Sequence, residues 1–113
     1  MIKIKKKIIS QKSLPFIIAE LGINHQGSLK LAKKMALLAI KNGADAIKNQ
    51  THIIDKEMID EAKKIIPINA KKSIYDVIKS NYLKFEDEIK LKKFVEKKGG
   101  IYLSTPFSLE AAK

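Results

Sequence analysis

A chain of 113 residues and 12.7 kDa has the length of one ordinary domain, and without Cys it forms neither disulfides nor thiolate metal sites, which suits a reducing cytoplasm. No stretch approaches the roughly 18 apolar residues of a membrane span, and the opening MIKIKKKIIS lacks the apolar core of a signal peptide. The formal net charge of +11 invites a nucleic-acid reading, but every basic residue is Lys, scattered in doublets such as Lys33-Lys34, Lys63-Lys64 and Lys92-Lys93, without the Arg forks and interleaved aromatics of a groove reader; no nucleic-acid partner is expected.

The alternating Ile and Lys of the first ten residues predict a short strand or hairpin, closed by the polar turn Gln11 to Pro15. The apolar run Phe16-Ile17-Ile18-Ala19 predicts a buried strand ending in Glu20, and the Gly-rich turn Leu21 to Gly27 leads to Ser28, a plausible helix N-cap. Ala32, Met35, Ala36 and Ala39 then recur at i, i+3, i+4, i+7, widened by Leu31 and Leu38, and Asn42-Gly43 supplies a left-handed stop. ADAIKNQTH, residues 44–52, predicts the next strand, so the first half is a β–α–β unit whose short connections favour a parallel pair.

A longer excursion follows. Asp55 is expected to cap a helix over KEMIDEAKKII that Pro67 ends, IPINAKK to be a loop, and Ser73-x-x-Asp76 to open a further short helix as a capping box. Phe85 to Lys98 reads as a helix with Leu91, Phe94 and Val95 on one face, closed by Gly99-Gly100; IYLSTPF is the third strand, and SLEAAK a helix just begun. Three parallel strands with two or three crossover helices cannot cover both faces of a parallel sheet. The chain is therefore expected to be an N-terminal piece of a larger α/β protein, with an open sheet edge that makes it prone to aggregate when alone.

In β/α units reactive groups gather at the C-terminal strand ends. Those ends carry Glu20, Lys48-Asn49-Gln50 and Ser104-Thr105-Pro106. Lys48 and Gln50, two apart, share a face. A Lys ammonium neutralises a phosphate or carboxylate as a point charge, the Ser104 and Thr105 hydroxyls can bond the same anion, Gln50 suits a polyhydroxylated substrate, and Glu20 can act as general base or acid. Plainer readings stand beside these. Glu20 can be an ion-pair partner of Lys48; Lys48 and Gln50 can be solvated edge-strand residues; Thr105-Pro106 can be only a turn and helix start. His25 and His52, with no third ligand at recognisable spacing, read as packing or hydrogen-bonding residues.

IIAELGINHQGSLKLAKKM, GADAIKNQTH, IPINAKKSIYDVI and YLSTPFSLEAA together resemble the sialic acid (N-acetylneuraminate) synthase family, from about Phe16 to the C-terminus. The resemblance implies an α/β fold, the N-terminal three or so β/α units of a (β/α)8 TIM barrel. Residues 1–15 would be a preceding strand or hairpin and residues 16–113 an incomplete barrel domain, with the rest of the barrel and an antifreeze-like domain lying outside the chain. It also implies a cytoplasmic, homodimeric full-length enzyme that condenses phosphoenolpyruvate with an open-chain N-acetylated hexosamine, releasing phosphate by C–O cleavage, with Mn2+ or Mg2+ polarising the aldehyde. The excursion after QTHI looks more like the N-acetylneuraminate branch, with N-acetylmannosamine as the sugar, than the legionaminate or pseudaminate branches.

By the same resemblance Glu20 matches a catalytic glutamate. Lys48 and Thr105 match phosphoenolpyruvate contacts, and Gln50 and Asn69 match residues beside the sugar. The family's metal-binding histidines and an arginine of the antifreeze-like domain have no match among these residues, and Asn49 stands where relatives often carry an aromatic or His, at a position expected to face away from the site. The competing readings are a legionaminate or pseudaminate synthase, a non-catalytic truncated remnant, and a basic nucleic-acid module whose binding would fall steeply with salt.

Overall fold

The Ile and Lys of the first residues fold back on themselves: in the computed structural model, which describes residues 1–113, β1 (Ile2–Ile4) pairs antiparallel with β2 (Lys7–Ile9). Lys5 makes the reversal with a φ of 51°. Lys7 and Lys5 tie this hairpin to Asp45 and Glu96, at the end of the molecule where strands begin.

The main sheet has three parallel strands in the order β3 (Ile18–Gly22), β4 (Ala46–Thr51), β5 (Ile101–Pro106). Between them run α1 (Leu29–Lys41), a 3-10 turn at Ile54–Lys56, α2 (Asp60–Lys63), α3 (Ile74–Asn81) and α4 (Phe85–Lys97); α5 (Leu109–Ala112) follows β5. Ser28, Ser73 and Ser108 cap α1, α3 and α5 by accepting from the backbone N–H of Leu31, Asp76 and Ala111. α1 stops where expected, at Asn42, with Gly43 at a φ of 98°.

The core lies on one side of the sheet. Ala32 and Ala36 of α1 and Leu91 and Val95 of α4 pack with Leu21, Ile47 and Leu83, and Ala19 and Tyr102 border them. The small Ala32 and Ala36 let α1 lie close to Ile47, which is fully buried in the central strand. The register aligns Ala19, Ile47 and Tyr102 across the sheet, and one residue on aligns Glu20, Lys48 and Leu103. Side chains alternate along a strand, so the first row faces the helices and the second the opposite face, which no helix of this chain covers.

Several expectations need correction. The first strand starts at Ile18 rather than Phe16, because the Asp45 carboxylate takes the Ile17 N–H and the Ile17 carbonyl accepts from Asp45 and Ala46. It is an edge strand, and Ile17 and Ile18 are each 49% exposed rather than buried. Leu38 falls off the buried stripe of α1 and is also exposed. Asp55 caps no helix: it lies inside the 3-10 turn and accepts from the Tyr75 hydroxyl at 2.9 Å. The helix expected as far as Pro67 is only Asp60–Lys63, and none of its residues is buried. A stretch without an apolar face to bury gains too little to extend a short helix.

Candidate active site

β3, β4 and β5 run parallel, so their C-terminal ends lie at one rim, and the polar residues there divide between the two faces of the sheet. On the helix-free face Glu20 and Lys48 are register partners joined by a 2.6 Å ion pair, each side chain still more than a third exposed. Glu20 Oε1 also accepts the Gly22 N–H at 3.2 Å, inside the β-bulge that shifts register between Glu20 and Gly22. Two residues beyond Lys48 stands Gln50, and its register partner on β5 is Thr105. Thus Glu20, Lys48, Gln50 and Thr105 share one face and one rim. Asn69 does not join them: it is exposed in the loop between α2 and α3.

Ser104 points the other way. Its hydroxyl donates to Glu88 at 3.0 Å, so it cannot share an anion with Thr105; adjacent strand residues take opposite faces. Glu88, itself buried beneath the rim, is the hub of a polar cluster. Its Oε1 also accepts from the hydroxyls of Thr51 at 2.6 Å and Tyr102 at 2.7 Å. Burial and the adjacent Glu88 carboxylate push the Tyr102 phenol up, so it stays a donor. The sequence held a signal for this hub: Glu88, Leu91 and Val95 recur at i, i+3, i+7, which places a carboxylate on the apolar stripe of α4.

Asn49 faces away from the rim, as expected, and is fully buried against His25. His25 Nδ1 accepts the Gly27 N–H at 3.2 Å, so Nε2 carries the proton and donates to Asn49 Oδ1, also at 3.2 Å. This pair holds the turn after β3 against β4. Burial pushes the His25 ring below its ordinary value of 6.5, against a smaller opposing effect of Asn49. As pH falls through 6.5 the unfolded chain takes up a proton that the folded chain resists, so this contribution to stability is present above that value and lost on acidification. Urea unfolding of the intact protein should therefore weaken from pH 7 to pH 5 more steeply than that of His25→Gln. Parallel curves would show that His25 does not carry the dependence.

His52 is buried at the end of β4 and pairs with Glu57 and Gln50. No three His, Cys, Asp or Glu side chains lie close enough together to hold a cation, so these residues do not by themselves fit the Mn2+ or Mg2+ that the resemblance implies. The largest depression lies at the opposite end of the sheet, between the hairpin and Gly43, Gly99 and Gly100, and is part of the hairpin's seat. No helix is long and apolar enough to cross a membrane.

The NeuB family pattern matches residues 35–113, a stretch that includes Lys48, Gln50, Asn69 and Thr105 but not Glu20. The chain is 35% identical over 99 residues to pseudaminic acid synthase of Campylobacter jejuni, covering 84% of this chain and 29% of that protein. It is 36% identical over 98 residues to N,N'-diacetyllegionaminic acid synthase of Legionella pneumophila, covering 81% of this chain and 27% of that protein. The crystal structure of N-acetylneuraminic acid (sialic acid) synthetase from Leptospira borgpetersenii, in complex with citrate, superposes with a TM-score of 0.81 at 29% identity, over 98% of this chain and 35% of that one. The chain thus spans under a third of the length of these curated relatives. Its fold is that of the N-terminal part of the sialic acid synthase barrel.

Proposed function

The chain belongs to the NeuB family, and on that premise we propose that the protein of which it forms part condenses phosphoenolpyruvate with N-acetylmannosamine to give N-acetylneuraminate and phosphate. The observation that carries the reading is the gathering of Glu20, Lys48, Gln50 and Thr105 on the helix-free face at the C-terminal rim of a parallel sheet. That is where β/α folds keep their chemistry. In this reading Lys48 neutralises the phosphate or carboxylate of phosphoenolpyruvate and Thr105 donates a hydroxyl to it. Gln50 bonds the open-chain sugar, and Asn69, on its exposed loop, closes over that sugar from the side. Glu20 handles a proton at the reacting centre while its ion pair holds the Lys48 ammonium. C3 of phosphoenolpyruvate attacks the aldehyde carbon, whose oxygen takes up a proton; water adds at C2 and gives up a proton, and the C2–O bond then breaks to release inorganic phosphate.

A diacetamido sugar is the second reading, favoured by the pseudaminic and legionaminic acid synthases among the relatives. Phosphate release from phosphoenolpyruvate by the intact protein separates the two. Release stimulated by N-acetylmannosamine is the expected result. Release only with a 2,4-diacetamido-trideoxyhexose transfers the assignment to the second reading, and no sugar-stimulated release rejects both.

A further inference from the structure

At the C-terminal end of β4 the Gln50 side chain is gripped from behind. His52 Nε2 lies 3.2 Å from Gln50 Oε1. The Nδ1 of the same ring lies 3.0 and 2.9 Å from the two Glu57 carboxylate oxygens. The His52 and Glu57 side chains are 1% and 3% exposed, so neither is free to meet a substrate. Phe107, just past β5, stacks on the His52 ring with centroids 4.6 Å apart and so fixes its plane. The other end of the Gln50 amide lies over Gly22, whose φ is 54°; a Cβ built there would stand 3.7 Å from Gln50 Nε2. The end of the amide away from the ring is turned toward the bulge that carries Glu20.

We propose that His52 and Glu57 are positioning residues that orient the Gln50 amide, fixing which of its two ends is turned toward the sugar. A glutamine amide has nearly the same shape when turned end for end, and only its partners decide whether it offers N–H or C=O to a ligand. A buried carboxylate–imidazole pair aimed at one end of the amide makes that choice before substrate arrives, so no binding energy is lost in making it. Packing alone would not require the ring to point a nitrogen at Gln50. The inference rests on the reading that Gln50 meets the sugar.

The test uses the intact protein and two substitutions that keep the site polar, His52→Asn, whose shorter side chain cannot reach Gln50, and Glu57→Gln, which keeps an acceptor for Nδ1–H. In steady-state kinetics the KM for the sugar should rise about tenfold in His52→Asn while the KM for phosphoenolpyruvate changes by less than about twofold. Glu57→Gln should fall between His52→Asn and the wild type. Equal rises in both KM values, or a lower thermal midpoint with the sugar KM unchanged, would overturn positioning in favour of a merely structural pair. Crystal structures of the wild type and His52→Asn give a readout independent of turnover. If the wild type shows no sugar-stimulated release, the assignment of Gln50 to the sugar fails. The crystallographic comparison then decides the positioning: an amide that rotates or splits in the variant supports it, and one that stays put overturns it.

Discussion

Lys48→Ala is expected to lower kcat/KM for phosphoenolpyruvate roughly 10- to 100-fold, the range of one lost hydrogen bond to a charged group. Lys48 is the basic side chain among the four residues that share the helix-free rim, and its ammonium already faces that space, held 2.6 Å from Glu20. A phosphate or carboxylate arriving there replaces or joins the Glu20 carboxylate as its counter-charge. Lys48→Arg should recover only part of the loss, since a planar fork does not fill the position of a compact ammonium. The same measurement decides what Glu20 does. If Glu20 only holds Lys48 in place, Glu20→Gln raises the KM for phosphoenolpyruvate and leaves kcat nearly intact, and the double variant is no worse than Lys48→Ala. If Glu20 moves a proton, kcat falls at saturating concentrations of both substrates, and the two losses combine. Wild-type kcat/KM in Lys48→Ala would remove Lys48 from the site.

The features legible in the sequence were those that local chemistry decides. Ser28 and Ser73 cap helices because a hydroxyl ahead of an apolar periodicity has orphan N–H groups to accept from, and Asn42-Gly43 ends α1 because only that backbone turns left-handed cheaply. Period-two alternation was enough to put Lys48 and Gln50 on one face and Asn49 on the other. The same rule, applied to β5, separates Ser104 from Thr105, a consequence that the shared motif STPF obscures. Asp55 shows where local reasoning stops. An Asp ahead of a helix-like stretch looks like a cap, but Tyr75, 20 positions away, competes for its carboxylate, and the stretch buries nothing. The convergence on Glu88 is likewise tertiary. Nothing in the spacing of Thr51, Glu88, Tyr102 and Ser104 along the chain brings three hydroxyls to one carboxylate oxygen; the parallel register and the seat of α4 do.

That convergence gives the other large effect. Glu88→Ala should destabilise the folded protein by about 3 kcal/mol, because it removes the shared, buried acceptor of three hydroxyls. Glu88→Gln keeps Oε1 and should cost about 1 kcal/mol. The contrast separates hydrogen bonding from charge: a hub that matters for its acceptor tolerates the amide, whereas one that matters for its negative charge does not. Urea unfolding of both variants reads the difference, and equal losses would remove the hydroxyl-acceptor account. The effect reaches the rim as well. Thr51 and Ser104 sit on β4 and β5 beside Gln50 and Thr105, so the strands that present the substrate-facing residues are pinned from beneath by Glu88. Glu88→Ala should therefore also lower kcat/KM, and Glu88→Gln should restore most of it, although neither side chain faces the rim from which Lys48 and Thr105 would meet a substrate.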